Sequence, residues 1–173
     1  MDVLERFAAG DAVAFESLFQ QHQGDVFRWI LRIVRNQATA EELTVETFWR
    51  IHRARARFDV KKGNFCGWMR RIATNTALDH LRSKRVEVEL PDELPAGRTP
   101  VAAEQNELRR LIFAAMDRLS PQVRAAILLA LVEEEPYEEV GKALGISTAA
   151  AKLRVFRGVR VLRKELSKAG VHA

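Results

Sequence analysis

An all-α protein is predicted: two small helical domains joined by a flexible linker, the second domain carrying a helix-turn-helix. Three observations predict it. Apolar residues recur at helical spacing nearly everywhere, as in Val26, Phe27, Ile30, Leu31 and Val34, or Leu108, Leu111, Ile112, Ala115 and Leu119, which gathers them on one face of a helix. Period-two alternation is confined to Val86-Glu87-Val88-Glu89-Leu90. Between Arg85 and Val101 helical periodicity stops, and three of the chain's five prolines fall there, as in an interdomain linker. The expected division is residues 1–85, an acidic linker over 86–102, and residues 103–173.

Helix starts are marked in order by Asp11 before AVAFESLF, Thr39 before AEEL, Ser120 ahead of Pro121, and Ser147 before TAAAK. Each is a short polar side chain able to accept from an orphan backbone N–H. In the helix from Ala40 to about Arg57, Glu41, Glu42 and Glu46 stand toward the start and arginines toward the end. The helix dipole favours that arrangement, and a protein-docking surface is the functional alternative. Farther on, Phe65, Trp68, Met69, Ile72 and Thr76 define a buried stripe, leaving Arg71, Asn75, Asp79 and Arg82 on another face. Those side chains and the loop Asp59-Val60-Lys61-Lys62-Gly63-Asn64 suit base edges, phosphates or an unstacked base, and equally suit a solvated polar face. Trp29, Trp49 and Trp68 are ambiguous, since aromatics at helical spacing are usually core.

The strongest local signal is Pro136-Tyr137-Glu138-Glu139-Val140-Gly141-Lys142-Ala143-Leu144-Gly145-Ile146-Ser147, followed by a long basic helix. Val140, Ala143 and Leu144 make the stripe of a short helix, and Gly145 can take the left-handed conformation that closes it. Ile146 plugs the core, Ser147 caps the next helix, and Ala149, Ala150 and Ala151 permit close approach. On the second helix Ala151, Val155, Val159, Leu162 and Leu166 face inward. Lys152, Leu153, Phe156 and Arg157 then share an exposed face suited to the major groove; a plain αα-hairpin is the alternative.

With 173 residues, 47% of them hydrophobic, the chain can bury cores, so global disorder is excluded. Lys plus Arg number 28 against 23 Asp plus Glu, a net charge of +5. From Arg50 to Arg85 eleven basic residues face Asp59 and Asp79, and from Gly141 onward eight face Glu165. Two basic surfaces fit a protein gripping nucleic acid at two points, or two solvated helix faces. The single cysteine, Cys66, excludes an internal disulfide and a CxxC pair and reads as a small buried thiol. His22, His52, His80 and His172 show no metal spacing, and neither GxxxxGK[ST] nor GxSxG occurs, so no catalytic, cofactor or metal site is expected. The first residues, MDVLERFAAGD, contain no apolar signal core, and the expectation is an intracellular, cytoplasmic protein without a membrane span.

Two segments together resemble the extracytoplasmic-function sigma factors, the two-domain class of bacterial RNA polymerase promoter-specificity subunits. The first comprises Ala14-Phe15-Glu16-Ser17-Leu18, Ala40 to Phe48, Phe58-Asp59, Trp68 and Ile72 to Arg82, and is similar to region 2. The second comprises Leu119-Ser120-Pro121, Tyr137 to Gly141, Leu144 to Ser147 and Lys152-Leu153-Arg154, and is similar to region 4. The resemblance implies a non-enzymatic subunit that recruits core polymerase to promoters and helps melt them. It implies that Glu41, Glu42, Leu43, Glu46, Thr47 and Arg50 dock on the clamp helices of the largest polymerase subunit. It implies that Lys61, Lys62, Asn64, Phe65, Arg71, Asn75, Asp79 and Arg82 meet the minus-10 element. Ser147, Lys152, Leu153, Phe156 and Arg157 would meet the minus-35 element, with Arg154 and Arg160 on phosphates. The flap of the second-largest subunit and an anti-sigma factor or other recruiting protein complete the implied partners. Thr39 stands where the family usually has Asp, Val45 where it has Gln, Glu134-Glu135-Pro136 for Gly-Leu-Ser, Ala149-Ala150-Ala151 for Gly-Thr-Val, Leu153 for Ser and Val159 for Arg. Two rival classes remain: a polymerase-independent DNA-binding regulator, and an RNA-modifying enzyme with an appended helix-turn-helix, for which no catalytic constellation is present.

Overall fold

The computed structural model describes residues 2–61, 63–87 and 107–171. Among them every regular element is helical. The chain divides into two compact units, Met1–Thr99 and Pro100–Ala173.

In the first unit, α1 (Val3–Ala8) opens on a capping box in which Asp2 and Glu5 each accept from the other's end of the turn. Asp11 starts α2 (Ala12–Val34), its Oδ1 accepting from the amides of Val13 and Ala14 at 2.8 and 3.2 Å. The next helix, α3 (Gln37–Ala54), starts two residues before Thr39. Asn36 is its cap and accepts from the Thr39 amide at 2.9 Å, because asparagine supplies the same short acceptor one turn earlier. A 3-10 turn (Arg55–Arg57) leads to α4 (Phe65–Glu87), so Val86 and Glu87 finish a helix; the rest of the expected linker and the start of the second domain lie outside the described residues.

Helices α2, α3 and α4 pack pairwise around Leu18, Val26, Ile30, Ile33, Phe48, Ile51, Met69, Ala73 and Ala77. Each large aliphatic or aromatic side chain buried there contributes about 1.5–3 kcal/mol. Trp29 Nε1 donates across to Thr74 Oγ1 at 2.9 Å, while Thr44, Thr74 and Thr76 donate to the carbonyls four residues back in their own helices. Phe65 stacks edge-on against Phe7 and Phe58, and Phe58 packs on Trp68. That cluster pins the 58–64 loop to the start of α4.

The second unit holds α5 (Glu107–Asp117), α6 (Pro121–Ile127) with a π-helical turn (Leu128–Val132) continuing it, α7 (Tyr137–Leu144) and α8 (Thr148–Lys168). Ser120 caps α6 with Pro121 in the first turn, and Ser147 Oγ accepts from the Ala150 amide at 3.1 Å to start α8. Gly145 ends α7 at φ 65°, ψ 37°, the left-handed cap expected of it. Gly141 is required for a different reason, because a Cβ there would lie 2.8 Å from the Ile146 carbonyl oxygen. The close approach thus falls at Gly141 and Ala151; Ala149 is exposed and Ala150 half-buried. Ala151, Val155 and Gly158 form the buried face of α8, with Val159, Leu162 and Leu166 half-buried beside them.

Candidate nucleic-acid interface

On α4 the inward stripe holds Phe65, Met69 and Thr76 buried and Trp68 and Ile72 half-buried. Along the outward face, Asn75, Asp79 and Arg82 are exposed and Arg71 is half-buried. Asp79 does not stand alone. Arg50 of α3 donates from Nη1 to its Oδ2 at 2.9 Å, and Arg82 donates to its Oδ1 at 3.1 Å. Arg50 also donates from Nε to Glu46 Oε1 at 2.9 Å. The hydrogen bond to Glu46 first, and that to Asp79 second, raise the Arg50 pKa above its ordinary value, outweighing partial burial. A chain of charges, Glu46–Arg50–Asp79–Arg82, therefore joins the expected docking helix to the expected base-reading helix.

Several site residues of the sequence reading lie elsewhere than on the surface. Phe65 is only 6% exposed, its ring turned into the aromatic cluster. Leu43 is 5% and Thr47 0% exposed; with Ile51 they form the inward row of α3. Asn64 is exposed, yet its Oδ1 accepts from the Gly67 amide at 3.2 Å, which gives it a turn-forming role at the start of α4. Lys61 is exposed beside Asp59, whose Oδ1 accepts from its amide, and Lys62 is outside the described residues. Cys66 is half-exposed, not buried.

The outward surface of α3 carries two exposed apolar side chains. Val45 and Trp49 are 52% and 56% exposed. With Glu42 and Glu46 they border a groove of about 730 Å³ whose opposite wall is Thr76, Asp79 and His80 of α4. Glu41 is exposed next to it. The spacing of Val45 and Trp49, one turn apart and off the Leu43–Thr47–Ile51 row, already carried the signal.

In the second unit Lys152, Leu153, Phe156, Arg157 and Arg160 are exposed on α8, and Arg154 is half-buried at the edge. Lys152 Nζ sits 5.8 Å from the Tyr137 ring centre, a cation–π contact that ties the start of α8 to α7. Ser147 is exposed but spends its hydroxyl on the helix cap. The long helix thus turns one apolar face to its own core and a charged, partly aromatic face outward, as a groove-entering helix must.

Comparison with known proteins gives this geometry a context. Residues 18–87 match Sigma-70 region 2 and residues 109–162 match Sigma-70, region 4. The chain belongs to the extracytoplasmic-function sigma factors. It is 39% identical over 170 residues to the RNA polymerase sigma factor CarQ of Myxococcus xanthus, covering 95% of this chain and 96% of that protein. It is 38% identical over 172 residues to the ECF RNA polymerase sigma factor SigE of Mycolicibacterium smegmatis, covering 93% of this chain and 66% of that longer protein. The fold is that of solved sigma factors. RpoE of Bartonella quintana, solved with the anti-sigma factor NepR, gives a TM-score of 0.69 at 19% identity over 88% of this chain and 96% of that one. CnrH, solved with the cytosolic domain of CnrY, gives 0.65 at 21% identity over 96% of both chains. As a sigma factor the chain directs RNA polymerase to promoters, and its family is one of non-enzymatic initiation factors. Among the described residues no helix is long and apolar enough to cross a membrane.

Proposed function

We propose that this sigma factor divides its work among three surfaces. The α3–α4 groove, with Glu41, Glu42, Glu46, Val45 and Trp49, docks on the clamp helices of the largest polymerase subunit. Acidic carboxylates around an exposed tryptophan call for a partner surface that is basic at its rim and apolar at its centre. The outward face of α4, led by Asn75 and supported by Arg71, Asp79, Arg82 and Lys61, captures bases of the minus-10 element as they leave the stack. In the second unit, α8 enters the minus-35 major groove, with Arg154 and Arg160 on the phosphates, while the unit as a whole rests on the flap of the second-largest subunit. The observation that carries the reading is the pairing of region 2 and region 4 matches with an outward polar face on α4 and an outward cationic face on α8.

The protein acts in the cytoplasm, where core polymerase and promoters meet, and contributes no catalysis of its own. An anti-sigma factor or another recruiting protein is a second class of partner, of the kind that NepR represents for RpoE of Bartonella quintana.

Asn75 gives the cleaner test of base capture. Replacing Asp79 would also disturb Arg50 and Arg82, whereas no ion pair is at stake at Asn75. Asn75→Ala is expected to leave closed-complex binding nearly unchanged and to cost about 1–3 kcal/mol in open-complex formation. Permanganate reactivity of the minus-10 thymines reads it, and parental reactivity in the variant would return α4 to the role of a solvated face.

A further inference from the structure

Charge alone does not account for the outward face of α8. Diametrically opposite the buried Ala151–Val155–Gly158 row, the crest of this helix is apolar: Ala149 is exposed, Leu153 is 47% exposed and Phe156 is 61% exposed. Lys152 stands on one flank of that strip and Arg157 on the other, both exposed, with Arg160 farther along the crest. Large side chains held in water at the summit of a helix need something to cover them. Their cationic border points to the occupant, a polyanion with negative charge on both sides of a surface that offers apolar points.

The major groove has that layout. Phosphates form its walls, and base edges form a floor of hydrogen-bond donors and acceptors on which thymine alone displays a methyl group. Leucine and phenylalanine return nothing to a guanine N7 or O6 whose water they displace, but they bury a thymine C5-methyl well. We propose that Leu153 and Phe156 are specificity-determining residues that read thymine C5-methyl groups in the minus-35 element, between the charged contacts of Lys152 and Arg157. The inference rests on the proposed entry of α8 into that groove and adds the chemistry by which it discriminates.

The test uses holoenzyme assembled from core RNA polymerase and the full chain. A library of minus-35 variants first gives the preferred sequence, and each preferred thymine is then changed to uracil, which lacks only the methyl. One buried methyl predicts about a fourfold loss of promoter occupancy at one or two positions. Leu153→Ala and Phe156→Ala, both at exposed positions, should each abolish the uracil effect at one position and leave the others as they were. Uracil tolerated at every position would overturn the inference, as would variants that weaken all library members equally, the pattern of an apolar patch that docks on protein. The failures are distinguishable. A chain that supports no initiation defeats the sigma reading and this inference together; initiation indifferent to minus-35 sequence defeats the α8 assignment; and sequence preference without methyl dependence defeats this inference alone.

Discussion

Glu134 holds a left-handed backbone, φ 54°, in the turn between the π-helical segment and α7. That conformation costs an L-residue about 1–2 kcal/mol; glycine would relieve this strain, and its more flexible unfolded chain would offset about 0.4–1 kcal/mol of the gain. Glu134→Gly is therefore expected to stabilise the second unit by about 0.5 kcal/mol, whereas Glu134→Ala, still left-handed, should gain nothing. Urea unfolding of the two variants checks it, and equal midpoints would mean that the turn relaxes. Side-chain roles were the least legible part of the sequence. A motif names consecutive residues, while a helix turns away after each one. Leu43 and Thr47 fell inside the AEEL and ETF segments that mark the docking helix, yet their spacing with Ile51 puts them in the core. Phe65 belongs to the buried stripe read from its helical spacing, but its partners are tertiary: Phe7, Phe58 and His22 come from three separate parts of the chain to cover it, which no local pattern announces.

Elements were legible where local chemistry decides them. Asp11, Ser120 and Ser147 cap their helices as read, and Gly145 closes α7; Thr39 failed only because Asn36 offers an equivalent cap earlier. The helix-turn-helix supports a paired prediction. Gly145→Ala meets no atom within 4 Å and suffers backbone strain only, about 1 kcal/mol. Gly141→Ala drives a methyl to 2.8 Å from a backbone oxygen and should cost about 1–3 kcal/mol through forced separation of α7 from the turn. Thermal unfolding ranks them, and a Gly145→Ala loss exceeding that of Gly141→Ala would show the turn packed differently. For α3, Trp49→Ala should lower core polymerase affinity by about 2 kcal/mol or more, as at a central aromatic anchor. Its stability should change by no more than about 0.5 kcal/mol, since the ring is exposed. Co-purification at parental levels would remove Trp49 from the docking surface. The ion pairs of Arg50 carry less energy. Arg50 and its partners are all more than a third exposed, so the pairs contribute at most about 1 kcal/mol each; the one to Glu46 lies within α3, and the one to Asp79 joins α3 to α4.

At the scale of the whole molecule, charge segregation was legible from the outset. Eleven basic residues crowd Arg50 to Arg85 and eight follow Gly141; the fold turns Lys152, Arg157, Arg160, Arg163 and Lys164 outward on α8, leaves Arg82 exposed and Arg71 half-buried on α4, and forms an acidic, tryptophan-bearing groove on α3. One unit thereby presents opposite signs on neighbouring helices, which suits simultaneous contact with a protein and with DNA. What the sequence could not disclose was the Glu46–Arg50–Asp79–Arg82 chain between those faces, because it depends on how α3 crosses α4. Promoter choice is what the protein confers on polymerase, and mapping transcript starts made by purified core RNA polymerase with and without it, on genomic DNA of its source, reads that choice out. A discrete set of starts that appears only with the protein and shares one upstream pair of sequence elements is expected. Tight binding of the protein alone to duplex DNA, with starts unchanged by its addition, would instead make it a polymerase-independent regulator.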